Sequence, residues 1–288
     1  MNVLLMISSI AMGGAERVLV SLLPHLQQIE NVNLIVCTLN TKRDSPLVEA
    51  FEQTGVPRYD LNVPRLVDLP GWLRFLRLLQ ELDVDIISTQ DQYTNLYGTL
   101  AHYFTNIPVV MTRHIMDEPT YSRKKRILAR LTRWANRRGA DRIIAVSEAV
   151  RQNLARHSNI PLSRIETIYN GIEVERFETQ QQRAAKRNEM GWPEDQPTVV
   201  MVAVLRHGKG HEVLFESIPQ VQARIPGVRI KLVGSGKLES EIRQQAAPLG
   251  EVVEFLGQRT DVPELLGASD VLVLPSWSEA LPTVLIEA

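Results

Sequence analysis

Short, mostly apolar runs recur along the first half of the chain at positions 3–8, 34–39, 85–90, 108–113, 142–147 and 164–170. Between them lie longer stretches in which apolar residues return every three or four positions, as at 15–28, 69–82 and 93–104. An unbroken apolar run predicts a strand buried on both faces, and the longer period predicts a helix with one buried stripe. Their alternation predicts an α/β fold with a parallel sheet covered on both sides. The pattern restarts at 198–205, a run rich in β-branched residues. It continues with a helix at 213–221, a strand ending in Lys231, Leu232 and Val233, a strand at 252–256 and an apolar run at 271–274. Between the two series lies a polar stretch, 173–188, preceded by the turn-forming pair Asn170 and Gly171. Two domains are expected, 1–171 and 172–288.

At 288 residues the chain can give each domain its own core. A net charge of -1 argues against a general nucleic-acid binder, so basic character matters only where it is local. The single cysteine, Cys37, lies inside an apolar run and reads as a buried core thiol, which fits a reducing, cytoplasmic compartment. No apolar run reaches the roughly 18 residues of a membrane span. Positions 3–12 are as apolar as the middle of a signal peptide. No Lys or Arg precedes them, however, and Gly13, Gly14, Ala15, Glu16 and Arg17 follow, so they read as a first strand entering a glycine turn.

Ligands of parallel sheets collect beyond the carboxyl ends of the strands, so the loops after each run carry the candidate chemistry. Gly13 and Gly14 open the first helix; they fit either an anion approaching the backbone or simply a tight turn. His114 follows the fourth run, with Asp117 and Glu118 close behind, where a neutral imidazole could hydrogen-bond a hydroxyl. Arg206 and Lys209 sit in a glycine-containing loop before a helix, and two cations there could neutralise a diphosphate. In the stretch 275–288, Pro282 opens a predicted helix, and the amides of Ala280, Leu281, Pro282's neighbours and Thr283 form an anion-attracting end. Glu279 and Glu287 bracket that turn, about 80° apart on a helical wheel, which suits two parts of one long ligand better than an acid/base pair. Asp83 and Asp85 have metal-ligand spacing but precede an apolar run, so no metal is assigned to them. The segment 122–138, from Ser122 onward, carries eight basic residues and no acid, ending in Arg137 and Arg138, with Ile127, Leu128, Leu131 and Trp134 at helical spacing. This pattern fits an anionic membrane surface or an acidic or lipid-linked acceptor, and equally a core-facing stripe with a solvated basic face.

The order of these motifs resembles the retaining GT-B glycosyltransferases of the family 4 type, which include bacterial lipopolysaccharide, capsule and exopolysaccharide sugar transferases. The resemblance rests on the Gly13-Gly14-Ala15-Glu16 turn, the Asn170-Gly171-Ile172 hinge phrase, the Arg206 to Lys209 loop and the paired Glu279 and Glu287. It implies two Rossmann-like domains facing a cleft, 1–171 for the acceptor and 172–288 for a nucleotide-sugar donor, the second incomplete at its C-terminus. It implies metal-independent transfer of a sugar, with retention, from a nucleotide-diphosphate sugar to a hydroxyl of a glycan or lipid-linked glycan. No cofactor beyond that co-substrate is implied. Similarity to the family assigns catalytic roles to Glu279, His114, Arg206 and Lys209. It assigns donor contacts to Gly13, Gly14, Arg206, Lys209, Gly234, Gly236, Arg259, Glu279, Ala280, Leu281, Pro282, Thr283 and Glu287. Two positions depart from the family pattern: Ala280 stands where Gly is usual, and Val204 where many members carry an arginine. Other classes stay open, namely a partner-dependent nucleotide-sugar-binding module and a nucleotide-sugar epimerase.

Overall fold

The computed structural model describes residues 1–11, 13–40, 46–63, 68–116, 123–178 and 182–288, excluding the side chains of residues 46, 123–126, 128, 129 and 132. Clustering of the backbone divides the chain into two units, Met1–Gly171 and Ile172–Ala288.

The first unit runs β1 (Asn2–Ile7), α1 (Gly14–Leu26), β2 (Asn33–Thr38), α2 (Pro46–Gln53), β3 (Arg58–Asp60), α3 (Leu69–Glu81), β4 (Ile86–Thr89), α4 (Gln92–Thr105), β5 (Val109–Arg113), α5 (Arg123–Arg138), β6 (Arg142–Ala145), α6 (Glu148–Ser158) and β7 (Ile165–Thr167). All its strand pairs are parallel, in the order β3-β2-β1-β4-β5-β6-β7. The register sets Leu4 opposite Ile35 and Ile87, three side chains that are all buried. Burial on both faces is why these strands lack alternation in sequence. Helix starts follow local chemistry. The Asp68 carboxylate accepts from the Gly71 amide (2.9 Å) to cap α3, Asp91 and Thr94 form a reciprocal cap on α4, and Ser147 accepts from the Val150 amide (3.2 Å) on α6. The short edge strand β3 has no apolar run to announce it; it is held by pairing with β2.

The second unit runs α7 (Arg183–Met190), β8 (Thr198–Val202), α8 (His211–Arg224), β9 (Arg229–Val233), α9 (Glu239–Ala246), β10 (Val253–Gly257), α10 (Val262–Ala268), β11 (Val271–Leu272) and α11 (Val284–Glu287). Its parallel sheet has the order β10-β9-β8-β11. One core packs Met201, Leu214, Phe215, Ile218 and Ile230 between sheet and helices on one side; Trp192, Val200, Val262 and Leu265 form another. The buried Arg187 guanidinium satisfies three carbonyls, of Pro193 (2.6 Å), Gln196 (2.6 Å) and Ala268 (2.8 Å), and so ties α7 to the start of β8 and the end of α10.

Candidate functional site

Strand order decides where the functional loops meet. In the second unit the chain proceeds outward from β8 to β9 and β10, then crosses back so that β11 pairs with the other edge of β8. The loops leaving β8 and β11 therefore diverge from adjacent strands at their carboxyl ends, the switch point at which open α/β sheets bind ligands. The Lys209 Nζ, from the first loop, donates to the Glu279 Oε1 of the second at 2.6 Å. Both side chains are largely shielded, with 14% and 23% of their surface exposed. Arg206 and His207 lie exposed on the same loop as Lys209.

Three further contacts lock these loops together. The Trp277 amide donates to the Gly208 carbonyl (3.0 Å), and the Trp277 indole N–H donates to the Glu212 carboxylate (2.8 Å), holding that acid below its usual range. Gly210 adopts φ +74°, and a Cβ there would lie 1.9 Å from the Pro275 carbonyl oxygen. Only glycine permits this backbone conformation together with so close an approach. Trp277, Glu212 and Gly210 were not singled out from sequence. Residues 65 positions apart, as Glu212 and Trp277 are, carry no local signal of their pairing.

The remaining candidate residues of the second unit divide by what they touch. Leu285 N–H donates to the Pro282 carbonyl (3.0 Å), and the Ile286 and Glu287 amides to Thr283 (2.8 and 2.9 Å). The predicted helix, α11, thus begins at Val284, with Pro282 and Thr283 supplying its first acceptors. Ala280, Leu281, Pro282, Thr283 and Glu287 are all partly exposed. Gly234, at φ +138°, has its missing Cβ 2.0 Å from the Ala203 carbonyl oxygen, and that of Gly236 lies 2.2 Å from the Leu205 oxygen. Both glycines therefore already serve to let the turn after β9 pack against the loop after β8. Arg259 is committed to a two-pronged pair with Asp261 (2.8 and 2.6 Å), a carboxylate that Lys186 also grips at 2.5 Å. These partners, Arg259 first, hold Asp261 far below the ordinary carboxylate range.

In the first unit the strand order reverses at β1 and β4. There the Ser8 amide and hydroxyl both donate to Asp91 (2.7 Å each), which also caps α4. Beside them the Gln90 side-chain Oε1 lies 3.0 Å from the His114 Nε2. Burial, and then the adjacent Arg113 charge, push His114 down to about 4, so its ring is neutral near pH 7. Gln90 and Ser8 are additions the sequence did not suggest, because nothing local links the ends of different strands. Gly13 N-caps α1, but the Glu16 carboxylate folds over it, with Oε2 2.1 Å from where a Cβ would stand. That helix start already has an anion of its own.

Asp117, Glu118 and Ser122 lie outside the described residues. On α5 three members of the apolar stripe are not turned into the core: Ile127, Leu131 and Trp134 are 53%, 41% and 42% exposed, while the Leu128 side chain lies outside those described. Asp85 accepts from the Asn2 amide (2.7 Å) at the amino edge of the sheet, away from the ligand-bearing ends. Among the described residues, no three metal-ligating side chains come together.

Two Rossmann-like units with parallel sheets and switch-point loops define a GT-B glycosyltransferase fold. Residues 12–176 match the family described as Glycosyltransferase Family 4, and residues 182–288 match Glycosyl transferases group 1. The chain belongs to the family 4 glycosyltransferases, a retaining family whose members transfer a sugar from a nucleotide sugar to an acceptor. An Escherichia coli UDP-Gal:alpha-D-GlcNAc-diphosphoundecaprenol alpha-1,3-galactosyltransferase is 25% identical over 96% of this chain and 74% of its own length. A putative teichuronic acid biosynthesis glycosyltransferase of Bacillus subtilis is 28% identical over 81% of this chain and 60% of its own. Among solved structures, Anabaena HepE in complex with UDP and glucose superposes with a TM-score of 0.83 at 23% identity, covering 100% of this chain and 78% of that one. WaaG, a glycosyltransferase involved in lipopolysaccharide biosynthesis, gives a TM-score of 0.75 at 19% identity, covering 99% and 78%.

Proposed function

We propose that the second unit binds a nucleotide-diphosphate sugar through the Lys209 loop and the Glu279 turn, and that the sugar passes to a hydroxyl of a glycan or lipid-linked glycan with retention and without a divalent metal. The observation that carries this reading is the 2.6 Å contact between Lys209 and Glu279 across the switch point. A donor entering there exchanges one ion pair for two interactions. Its diphosphate takes over Lys209, and its sugar hydroxyls donate to the released Glu279 carboxylate. As the bond from the anomeric carbon to the phosphate oxygen breaks, negative charge grows on the departing diphosphate. Lys209 and the exposed Arg206 answer that charge, the work a metal does in other transferases. Thr283, Ala280 and Leu281 border the same turn, and Glu287 is assigned to the ribose. His114, neutral and held by Gln90, is suited to hydrogen-bonding a sugar or acceptor hydroxyl.

HepE, crystallised with UDP and with UDP-glucose, and the galactosyltransferase relative, named for UDP-Gal, favour trying uridine diphosphate sugars first. The diphosphoundecaprenol in that relative's name supports a lipid-linked acceptor. The exposed stripe of α5 among arginines supports contact with an anionic membrane surface, on the cytoplasmic side. Transfer of radiolabelled sugar, run beside calorimetry of donor binding, tests the reading. The expected result is binding and transfer, both abolished in Lys209→Ala with the apo fold intact. Binding without transfer would leave a nucleotide-sugar-binding module; conversion of the donor without acceptor would indicate an epimerase.

A further inference from the structure

At the opposite end of the first unit, a cavity of about 360 Å³ opens between the last turns of α5 and α6. Arg130, Arg133, Arg137 and Arg138 line it from α5, His157 closes it from α6, and Trp134 forms an apolar wall. The size falls toward the low end of the ~300–1,000 Å³ usual for small-ligand sites. Helices α5 and α6 run back from the carboxyl to the amino ends of the strands, between Arg113 and Arg142 and between Ala145 and Ile165. Their last turns therefore lie at the amino edge, away from His114 and Gln90, and the cavity is not a subsite of the reaction.

Its charge is unbalanced. Among the described residues, none of the four arginines has a carboxylate within ion-pair distance, although acids elsewhere in the chain are paired freely. Positions 130, 133 and 137 share one helical face, with 138 at its edge, and like charges at such spacing repel. A helix C-terminus ordinarily relieves such crowding through its exposed carbonyls. Here that relief is already taken up: the Arg164 guanidinium donates to the Arg137 carbonyl (2.8 Å) and to that of Ala140. Helix α5 itself is anchored. The buried Asn136 is bonded to Asn95 of α4 (3.3 Å), and Trp134 stacks on Tyr103 (6.0 Å between centroids, 16° between planes). Four guanidinium forks lining one cavity suit the tetrahedral, multiply charged oxygens of a phosphate group.

We propose that this cavity is a phosphate-binding site, distinct from the donor cradle, that takes a phosphate ester carried by a soluble molecule or by a lipid headgroup. It does not depend on the donor reading.

The test compares the full chain with the double variant Arg133→Gln/Arg137→Gln, using two probes. Glycerol phosphate, followed by calorimetry, reports the soluble source; sedimentation with phosphatidic acid vesicles, against phosphatidylcholine vesicles, reports the lipid source. Lys209→Ala serves as a second background, because it removes the cation assigned to the donor. A control, Arg224→Gln/Arg243→Gln, makes the same charge change elsewhere. In at least one arm the wild type and Lys209→Ala should bind alike, and the double variant should lose at least about tenfold in affinity at an unchanged melting temperature. The arm that responds identifies the source. Absence of wild-type binding in both arms, or an equal loss in the control, overturns the site. Loss in Lys209→Ala alone would assign the phosphate to the donor cradle and equally overturns it.

Discussion

Lys209 and Glu279 restrain each other, and in the proposed reading a donor replaces that restraint. Removing the carboxylate should therefore separate binding from chemistry. Glu279→Ala is expected to bind the nucleoside diphosphate more tightly, because Lys209 is no longer engaged, while turnover falls by about a hundredfold from loss of sugar orientation. Calorimetry beside single-turnover transfer checks both halves. His114 allows a pH prediction. Its folded value of about 4 lies below the ordinary 6.5, so between these limits the unfolded chain binds a proton that the folded chain refuses. Stability then rises with pH across that window by up to about 1.4 kcal/mol per pH unit from this group. His114→Gln should flatten that part of the urea-midpoint profile; an unchanged slope would assign the titration elsewhere. Side-chain identity at such sites was open to reading from sequence, since Lys209, Glu279 and His114 all fall in loops after apolar runs. The partners that condition them, Gln90 for His114 and Trp277 for the loop carrying Lys209, come from distant segments with no spacing to reveal them.

At the level of elements, the loop after β8 keeps its shape because another loop lies against it. Gly210→Ala is expected to destabilise the second unit by about 2 kcal/mol or more, from the left-handed conformation and the encounter with Pro275. Chemical denaturation measures it, and a neutral result would mean that the two loops are not pressed together. Arg187→Ala, which removes a buried guanidinium that donates to three carbonyls, that of the buried Ala268 among them, is expected to cost about 3 kcal/mol or more by the same measurement. Long periodic elements were legible because the core imposes their period: α3 and α4 differ from expectation by only a residue or so at their ends. Short ones were not. The edge strand β3 is three residues held by one neighbour, and α11, expected to open at Pro282, begins at Val284. Neither contains enough of a period to read.

At the scale of the molecule, among the described residues the strand pairs, and the buried clusters around Leu5, Met201 and Trp192, each lie within one unit. A fragment spanning 1–171 should accordingly unfold cooperatively by itself, with a calorimetric enthalpy matching its van't Hoff value. A non-cooperative transition would show that its core needs the rest of the chain. The sequence by itself determined the class of fold and the catalogue of chemically able residues, because burial on two faces and helical periodicity are written locally in the order of side chains. Only the tertiary structure decided which of those residues meet. The crossover that returns β11 to the free edge of β8 brings Lys209 to Glu279, the packing of glycine turns occupies Gly234 and Gly236, and the rotation of α5 presents its arginines and Trp134 outward. Each depends on contacts between segments far apart in the chain, where the pattern of neighbours carries no information.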